Sequence, residues 1–434
     1  MTHPALTARL RRLLDPNQPA PGPPAGPPGW SGLYLGTGRR GPVTGGTEHH
    51  ALVLGPPRSG KTTRLAIPNV RLHPGAVIAT STKPDIAAAT HRWRAPHGTC
   101  WLWDPTGTTT PPADVVPLRW SPINGCEQWD SAVARAHALA TAARPAHTPG
   151  DTHWVERAQA LLAPLLHAAA ITDGELADVL SWLHRRDLLH PISQLRTHRS
   201  DTAADLLEGI ALTDPRELSG IFSTTDSLLA PYRTDAALNA TRHPNFDPQA
   251  FARSTDTIYL LAPSTAQTQH APLIICLLDQ IRTHTYQTRP HPPMLWALDE
   301  LANIAPLPDL VATIAEGASQ GLLILACLQD LSQARTRWGP ATDGLLTLFT
   351  HKLILPGIAD LATLRQISAL AGEHDQPVTS TSRTNHHPLG NRTTNTTPQR
   401  RPRLPLDTIA TGHPNHALWL HRTTPHHVAL PPWN

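Results

Sequence analysis

The run GPPRSGKTT, Gly55 to Thr63, combines residue types that together hold a nucleotide phosphate chain. Gly55 and Gly60 permit a tight turn, so that successive backbone N–H groups wrap anionic oxygens at the start of a helix. Within this G-x-x-x-x-G-K-T pattern Pro56, Pro57, Arg58, Ser59 and Thr63 complete the ATP-binding loop. Lys61 would reach the β- and γ-phosphates as a catalytic cation, and the Thr62 hydroxyl would be a ligand of Mg²⁺. The apolar ALVL before the loop and the helical TTRLAIPNV after it supply the strand–loop–helix context that the pattern needs.

Two acids follow at a second apolar run, PMLWALDELANI. If Met294 onwards is a buried strand, Asp299 and Glu300 sit at its carboxyl edge, where ligands of such sheets bind. Asp299 is then the metal carboxylate, and Glu300 the catalytic base that orients and deprotonates water. The competing reading is an ordinary acidic helix start. A third run, GLLILACLQDLSQ, delivers Gln329 to another strand end, where its amide could sense the γ-phosphate or place the water; a capping or surface glutamine is the plainer alternative.

The elements that must position these residues alternate along the chain. Ala51–Leu54, Ala76–Ala79, Thr99–Trp103, Thr257–Leu261, Leu295–Leu298, Leu322–Leu328 and Lys352–Leu355 read as buried strands separated by helices. That order predicts an α/β fold with a mostly parallel, doubly wound sheet. Ser131–Ala143, Trp154–Ala170, Glu175–Arg185 and Thr202–Leu212 show helical periodicity with no strand between them. They predict an all-α domain at 126–214, inserted between nucleotide-binding portions at 36–125 and 215–375. Residues 1–35 read as a flexible segment with a proline-rich linker, and 376–403 as a low-complexity, disordered or surface-exposed stretch. The C-terminal strand and tail occupy 404–434.

Composition sets limits. The chain of 434 residues is 40% hydrophobic, enough for two or three domains with a sizeable core, and its net charge of +3 does not mark a nucleic-acid binder by bulk charge. Of the 36 Lys and Arg residues only Lys61, Lys83 and Lys352 are lysines, so Lys61 stands where arginine is otherwise preferred. The four cysteines are far apart, which argues against a zinc ribbon or a disulfide framework and for a reducing compartment. With no apolar leader, and no apolar run near the ~20 residues that span a bilayer, a cytoplasmic chain is expected. His413, His416, His421, His426 and His427 are read as composition, since the chain holds 26 histidines. Trp93, Trp101, Trp103, Trp120, Trp129 and Trp154 are read as packing, and Arg400, Arg401 and Arg403 as a solvated flexible tail.

The whole pattern resembles the type IV coupling proteins, the RecA-like hexameric ATPases of conjugative DNA transfer. The resemblance is carried by the P-loop with KTTRLAIPN, by GAVIATSTKPD, WLWDPTG, RELSGIFSTTDSLL and FDPQAFARSTDTIYLLAP, and by LDELANIAPLPDL, GLLILACLQDLSQ and KLILPGIADLATLRQISALAG. It runs from about Gly36 to the C-terminus. It implies a RecA-like P-loop NTPase, ATP and Mg²⁺ as cofactors, DNA and a relaxase or relaxosome as partners, and a homo-hexamer with sites between subunits. It also implies a secretion channel or membrane-anchor protein as partner, with the chain peripheral at the inner face of the membrane. The all-α domain would hold the relaxosome-bound substrate. Two departures stand out: the N-terminal membrane helices of the family are not seen, and STKPD replaces a more acidic sequence around Lys83 and Asp85. An arginine contributed from the neighbouring subunit is expected, with Arg216, Arg233 and Arg365 as candidates. Competing functions are a chromosome-type translocase of double-stranded DNA and a nucleotide-binding adaptor that recruits substrates with little turnover.

Overall fold

A computed structural model describes residues 32–143, 152–383 and 392–433; most of the expected linker at 1–35 lies outside them. Fourteen strands occur in chain order: β1 (Tyr34–Gly38), β2 (Gly41–Thr44), β3 (Ala51–Leu54), β4 (Val77–Ser81), β5 (Cys100–Trp103), β6 (Val115–Pro117), β7 (Thr257–Leu261), β8 (Met294–Leu298), β9 (Leu322–Leu328), β10 (His351–Ile354), β11 (Glu373–Arg383), β12 (Arg392–Pro402), β13 (His416–His421) and β14 (Thr424–Ala429). Twelve of them form one sheet in the order β2-β1-β14-β13-β10-β3-β9-β8-β4-β7-β5-β6. From β10 to β6 every pairing is parallel, and from β10 through β13, β14 and β1 to β2 every pairing is antiparallel.

Strands β3, β4, β7, β8, β9 and β10 are buried at every residue, as the parallel interior of a sheet covered on both faces must be. Alternate side chains divide between two cores. Leu52, Leu54, Ile78, Ile324 and Leu298 face the larger one, which continues into the helices between β6 and β7. Ala51, Val53, Val77, Leu325 and Leu353 face the other, closed by the helices after β3 and β4 and by the C-terminal strands.

Between β6 and β7 every described element is helical: Trp129–Ala142, Thr152–Ile171, Leu176–Arg185, Leu189–Thr197, Asp201–Ala211, Pro215–Leu228, and short pieces ending at Pro248–Phe251. The helical run therefore extends well past Asp214, where the sequence reading stops it. The reason is local: Asp214 is the N-cap of the next helix, accepting from Arg216 N–H, with Pro215 in the first turn.

Of the segment 376–403, expected to be disordered or surface-exposed, residues 384–391 lie outside the described residues. The rest is mostly exposed and lies in β11 and β12, which pair antiparallel from Glu373 opposite Pro402 to Arg383 opposite Arg392. Its threonines face one another, as at Thr379 and Thr396, and Arg400 Nε sits 2.8 Å from Glu373 Oε2. Rows of β-branched residues favour strands even without an apolar face to bury, a pattern that hydrophobic periodicity misses. Arg400 and Arg401 thus stand on a strand rather than a flexible tail. The tryptophans read as packing behave as such at Trp103 and Trp120, which are buried in the larger core.

Buried neutral histidines brace the sheet. His50 Nδ1 accepts from the Ile324 N–H at 3.0 Å, and burial pushes its pKa down to about 4. His73 Nε2 meets the Pro293 carbonyl at 2.7 Å; burial, then the neighbouring Arg94, push it down to about 3. An unfolded chain binds protons at both histidines below pH 6.5, whereas the folded chain does not until far lower. Stability is therefore full above pH 6.5 and is lost as pH falls towards 4, by on the order of 2 kcal/mol per histidine at pH 5. Thermal unfolding followed by circular dichroism should show a Tm lower at pH 5 than at pH 7, with a shallower fall in His73→Gln.

Candidate nucleotide site

The parallel neighbours β3, β9 and β8 end side by side, and the residues after them meet. Gly55 N–H donates to Leu328 O at 3.2 Å, tying the start of the loop to the end of β9, so Gln329 follows immediately beside it. A Cβ on Gly55 would come within 2.7 Å of Ser59 Oγ and 2.9 Å of Leu355 Cβ, so only glycine fits. Gly60 has φ +96°, and Arg58 has φ +64°, which curls the loop back on itself. The chain then enters a π-helical turn, Thr62–Ala66, continuous with Ile67–Leu72. Pro68 would clash with the Arg64 carbonyl in a regular α-helix, and the wider turn preceding it relieves that contact.

Lys61 is buried and its Nζ donates to the carbonyls of Gly55 (2.6 Å) and Pro56 (3.1 Å), so the cation is held inside the loop's own curve. Thr62 Oγ1 donates to Asp299 Oδ2 at 2.6 Å, a contact between residues 237 apart in sequence. Asp299 is held from behind by Thr80 of β4, whose hydroxyl donates to the Asp299 carbonyl at 2.7 Å. Its other oxygen, Oδ1, is buried with no partner among the described residues, as is Ser59 Oγ. Burial above all, with Glu300 and Asp85, raises the Asp299 carboxyl to about 6 against the Thr62 hydrogen bond and Lys61, which lower it.

Glu300 adopts φ +53° and ψ +45°, the left-handed region that a non-glycine residue enters at a cost of ~1–2 kcal/mol. This turn points the chain away from β8 directly after Asp299. Glu300 Oε2 accepts from Asn303 Nδ2 at 3.2 Å. Gln329 caps the end of β9, its backbone N–H donating to the Gln333 side-chain oxygen at 2.9 Å. The sequence-expected residues Gly55–Thr63, Asp299, Glu300 and Gln329 are therefore brought to one edge of the sheet. Thr63 is exposed.

The donor set fits the expected ligands. Mg²⁺ is held by one or two protein oxygens plus phosphates rather than by an all-protein cage. A threonine hydroxyl, its buried carboxylate partner and a partnerless carboxylate oxygen make such a set. Among the described residues no group of three or more His, Cys, Asp or Glu could hold a metal ion. Asn303, Gln333 and Thr80 were not singled out from sequence. Spacings of three from Glu300 and four from Gln329, one helical turn, are the signal that finds the first two.

The supporting residues fall as follows. Asp85 accepts from Ser81 Oγ at 2.9 Å and from Ile86 N–H at 2.8 Å, opening the helix Asp85–Arg94, while Lys83 is exposed. Of the candidate trans-acting arginines, Arg233 is engaged with Asp226; Arg216 and Arg365 are exposed and have no side-chain partner among the described residues. No helix is long and apolar enough to cross a membrane among the described residues.

A P-loop opening a helix, a carboxylate at the end of a nearby parallel strand and a polar residue on the strand between them define a RecA-like α/β P-loop NTPase fold. The family model of type IV secretory system conjugative DNA transfer matches residues 20–411, and the chain belongs to that family. A relative, the conjugal transfer protein TraG of Escherichia coli, is 23% identical over 349 residues, 72% of this chain and 54% of its own. The chain thus spans about half the length of the curated relatives it matches. Among solved structures, the unbound conjugative coupling protein TrwBdeltaN70 superposes with a TM-score of 0.68 at 17% identity, covering 98% of this chain and 92% of that one. TrwB in complex with ADP and Mg²⁺ gives 0.63 at 16% identity, covering 89% and 86%.

Removing the Lys61 cation should weaken nucleotide binding. Hydrogen bonds to charged groups contribute ~1.5–3 kcal/mol, so Lys61→Ala should raise the Kd for a fluorescent ATP analogue by roughly 10–100-fold. Isothermal or fluorescence titration of both proteins checks this.

Proposed function

We propose that this chain is an ATP-hydrolysing motor that moves DNA, or a relaxase–DNA complex, towards a secretion channel. The observation that carries the reading is the Thr62–Asp299 contact at 2.6 Å, with Glu300 next in sequence beside it. It supplies the metal oxygens and the base at one place. Membership of the conjugative DNA transfer family supports DNA as what is moved.

In this reading the loop 55–63 wraps the phosphates, and Lys61 exchanges its two carbonyl partners for β- and γ-phosphate oxygens. Thr62 and Asp299 would hold Mg²⁺, which would supply positive charge to the transferred phosphoryl group. Glu300 takes a proton from the attacking water as the new P–O bond forms and the bond to the ADP oxygen breaks. ADP and inorganic phosphate leave. Gln329, at the end of the strand between loop and acids, positions the water or reads the γ-phosphate. A homo-hexamer would place an arginine of the next subunit on that phosphate. A membrane-anchor partner or the channel itself would hold the assembly at the inner face of the membrane.

ATPase rates with and without single- and double-stranded DNA test this. DNA should stimulate turnover, and Glu300→Gln should cut it by ~100-fold or more while ATP still binds. Stimulation by double-stranded DNA alone would favour a chromosome-type translocase. Tight ATP binding without turnover at ring-forming concentrations would identify an adaptor. In cells, wild-type DNA transfer by a strain whose only copy carries Lys61→Ala would sink the motor reading.

A further inference from the structure

A cavity of about 440 Å³ lies directly behind the two catalytic strand ends. It is walled by the short helix Leu301–Ile304 that follows Glu300, the helix Leu331–Trp338 that follows Gln329, the start of Gln267–Thr288 and the end of Trp129–Ala142. Its polar lining is Gln267, Asn303, Ser332, Gln333, Thr336 and Arg337, and among the described residues it contains no acid. That volume suits a small ligand or one nucleotide unit of a strand.

Arg337 sets the chemistry. It is half-buried and makes no hydrogen bond or ion pair among the described residues, whereas Arg335 on the same helix is spent on Asp360 at 2.8 Å. Burial alone lowers its pKa, with no carboxylate to offset the desolvation. A cation left unpaired in a concave, acid-free wall of amides and hydroxyls is complementary to an anion.

The cavity is also wired to the reaction. Asn303, on its wall, donates to the Glu300 carboxylate, and Gln333, beside it, accepts from the Gln329 backbone. Whatever fills the cavity competes for the two amides that hold the base and the strand-end glutamine in place.

We propose that this cavity is a DNA-phosphate site, with Arg337 as its anchor and Asn303 and Gln333 as positioning residues that pass occupancy to Glu300 and Gln329. The inference rests on the motor reading above and names where that motor senses its substrate. In the absence of a strand, the Asn303 amide holds Glu300 Oε2 and so competes for that oxygen with a water. A backbone phosphate seated on Arg337 draws the Asn303 amide towards itself and frees the carboxylate. DNA-stimulated turnover is the result.

The test uses the full chain and a fluorescent oligonucleotide, single- and double-stranded, followed by anisotropy and by ATPase rate. Arg337→Ala should weaken binding about 10-fold and lower the ratio of stimulated to unstimulated rate. For a single strand, the slope of log affinity against log salt should become shallower by about 0.7 for the lost phosphate contact. Arg337→Lys should stay within about 3-fold of wild type. Asn303→Ala should raise the DNA-free rate towards the stimulated one. Should Arg337→Ala fail to fold by circular dichroism, Thr336→Glu, at an exposed position on the same wall, carries the same expectation. Wild-type affinity, salt slope and stimulation in the Arg337 and Thr336 variants would overturn the inference and leave the motor reading standing. Stimulation of the wild type by inorganic phosphate alone would overturn it as well, since the cavity would then read a free anion. A wild-type protein that neither binds DNA nor responds to it would remove both readings together.

Discussion

Parallel pairing of β3, β9 and β8 is the constraint on which the site depends. Parallel neighbours end on the same side of a sheet, so three segments far apart in sequence deliver a phosphate loop, an amide and two acids to one edge. The hydrogen bond from Thr62 to Asp299 closes that edge across β9. It does so at an electrostatic cost: the carboxylate is buried, and its proton is held more tightly than usual. A divalent cation bound there would reverse that cost, because an ion beside a desolvated carboxylate stabilises the charged form that burial disfavours.

The strands that made this arrangement readable are those buried on both faces. ALVL at 51–54, MLWAL at 294–298 and LLILACL at 322–328 are uninterrupted apolar runs, and each lies in the sheet within a residue or so of its expected limits. The strands that escaped are short or one-sided. Gly41–Thr44 has no buried residue and β6 has one, so neither carries a hydrophobic signal. The helix Pro215–Leu228 is rich in Ser, Thr and Gly, and forms through its aspartate cap and the packing of Ile221 and Phe222 rather than through propensity.

At the site, the motif residues were legible because backbone geometry dictates them. The glycines are required by contact distances and positive φ, and the acids by their place at a strand end. The residues around them were not. Asn303, Gln333 and Arg337 gain meaning from the convergence of four helices on one cavity, and that convergence depends on tertiary packing that no local spacing encodes. Arg337 in particular is one of many arginines in the chain, set apart by being unpartnered among the described residues and also half-buried on the cavity wall, where Arg216 and Arg365 are exposed.

The paired arm of β11 and β12 has one more consequence. Each strand is 11 residues long, about 35 Å of extended chain, and the arm forms a sheet of its own. Among the described residues no third strand pairs with either outer edge, and such an edge is the template on which another extended chain can add. Pro377 lies opposite Pro398, with Pro402 at the base, and Arg400 and Arg401 lie on the same strand. Prolines remove donors from the edge and like charges repel a second copy of the arm. Prolines at these positions are the kind of feature that disfavours edge-to-edge pairing between copies of a chain.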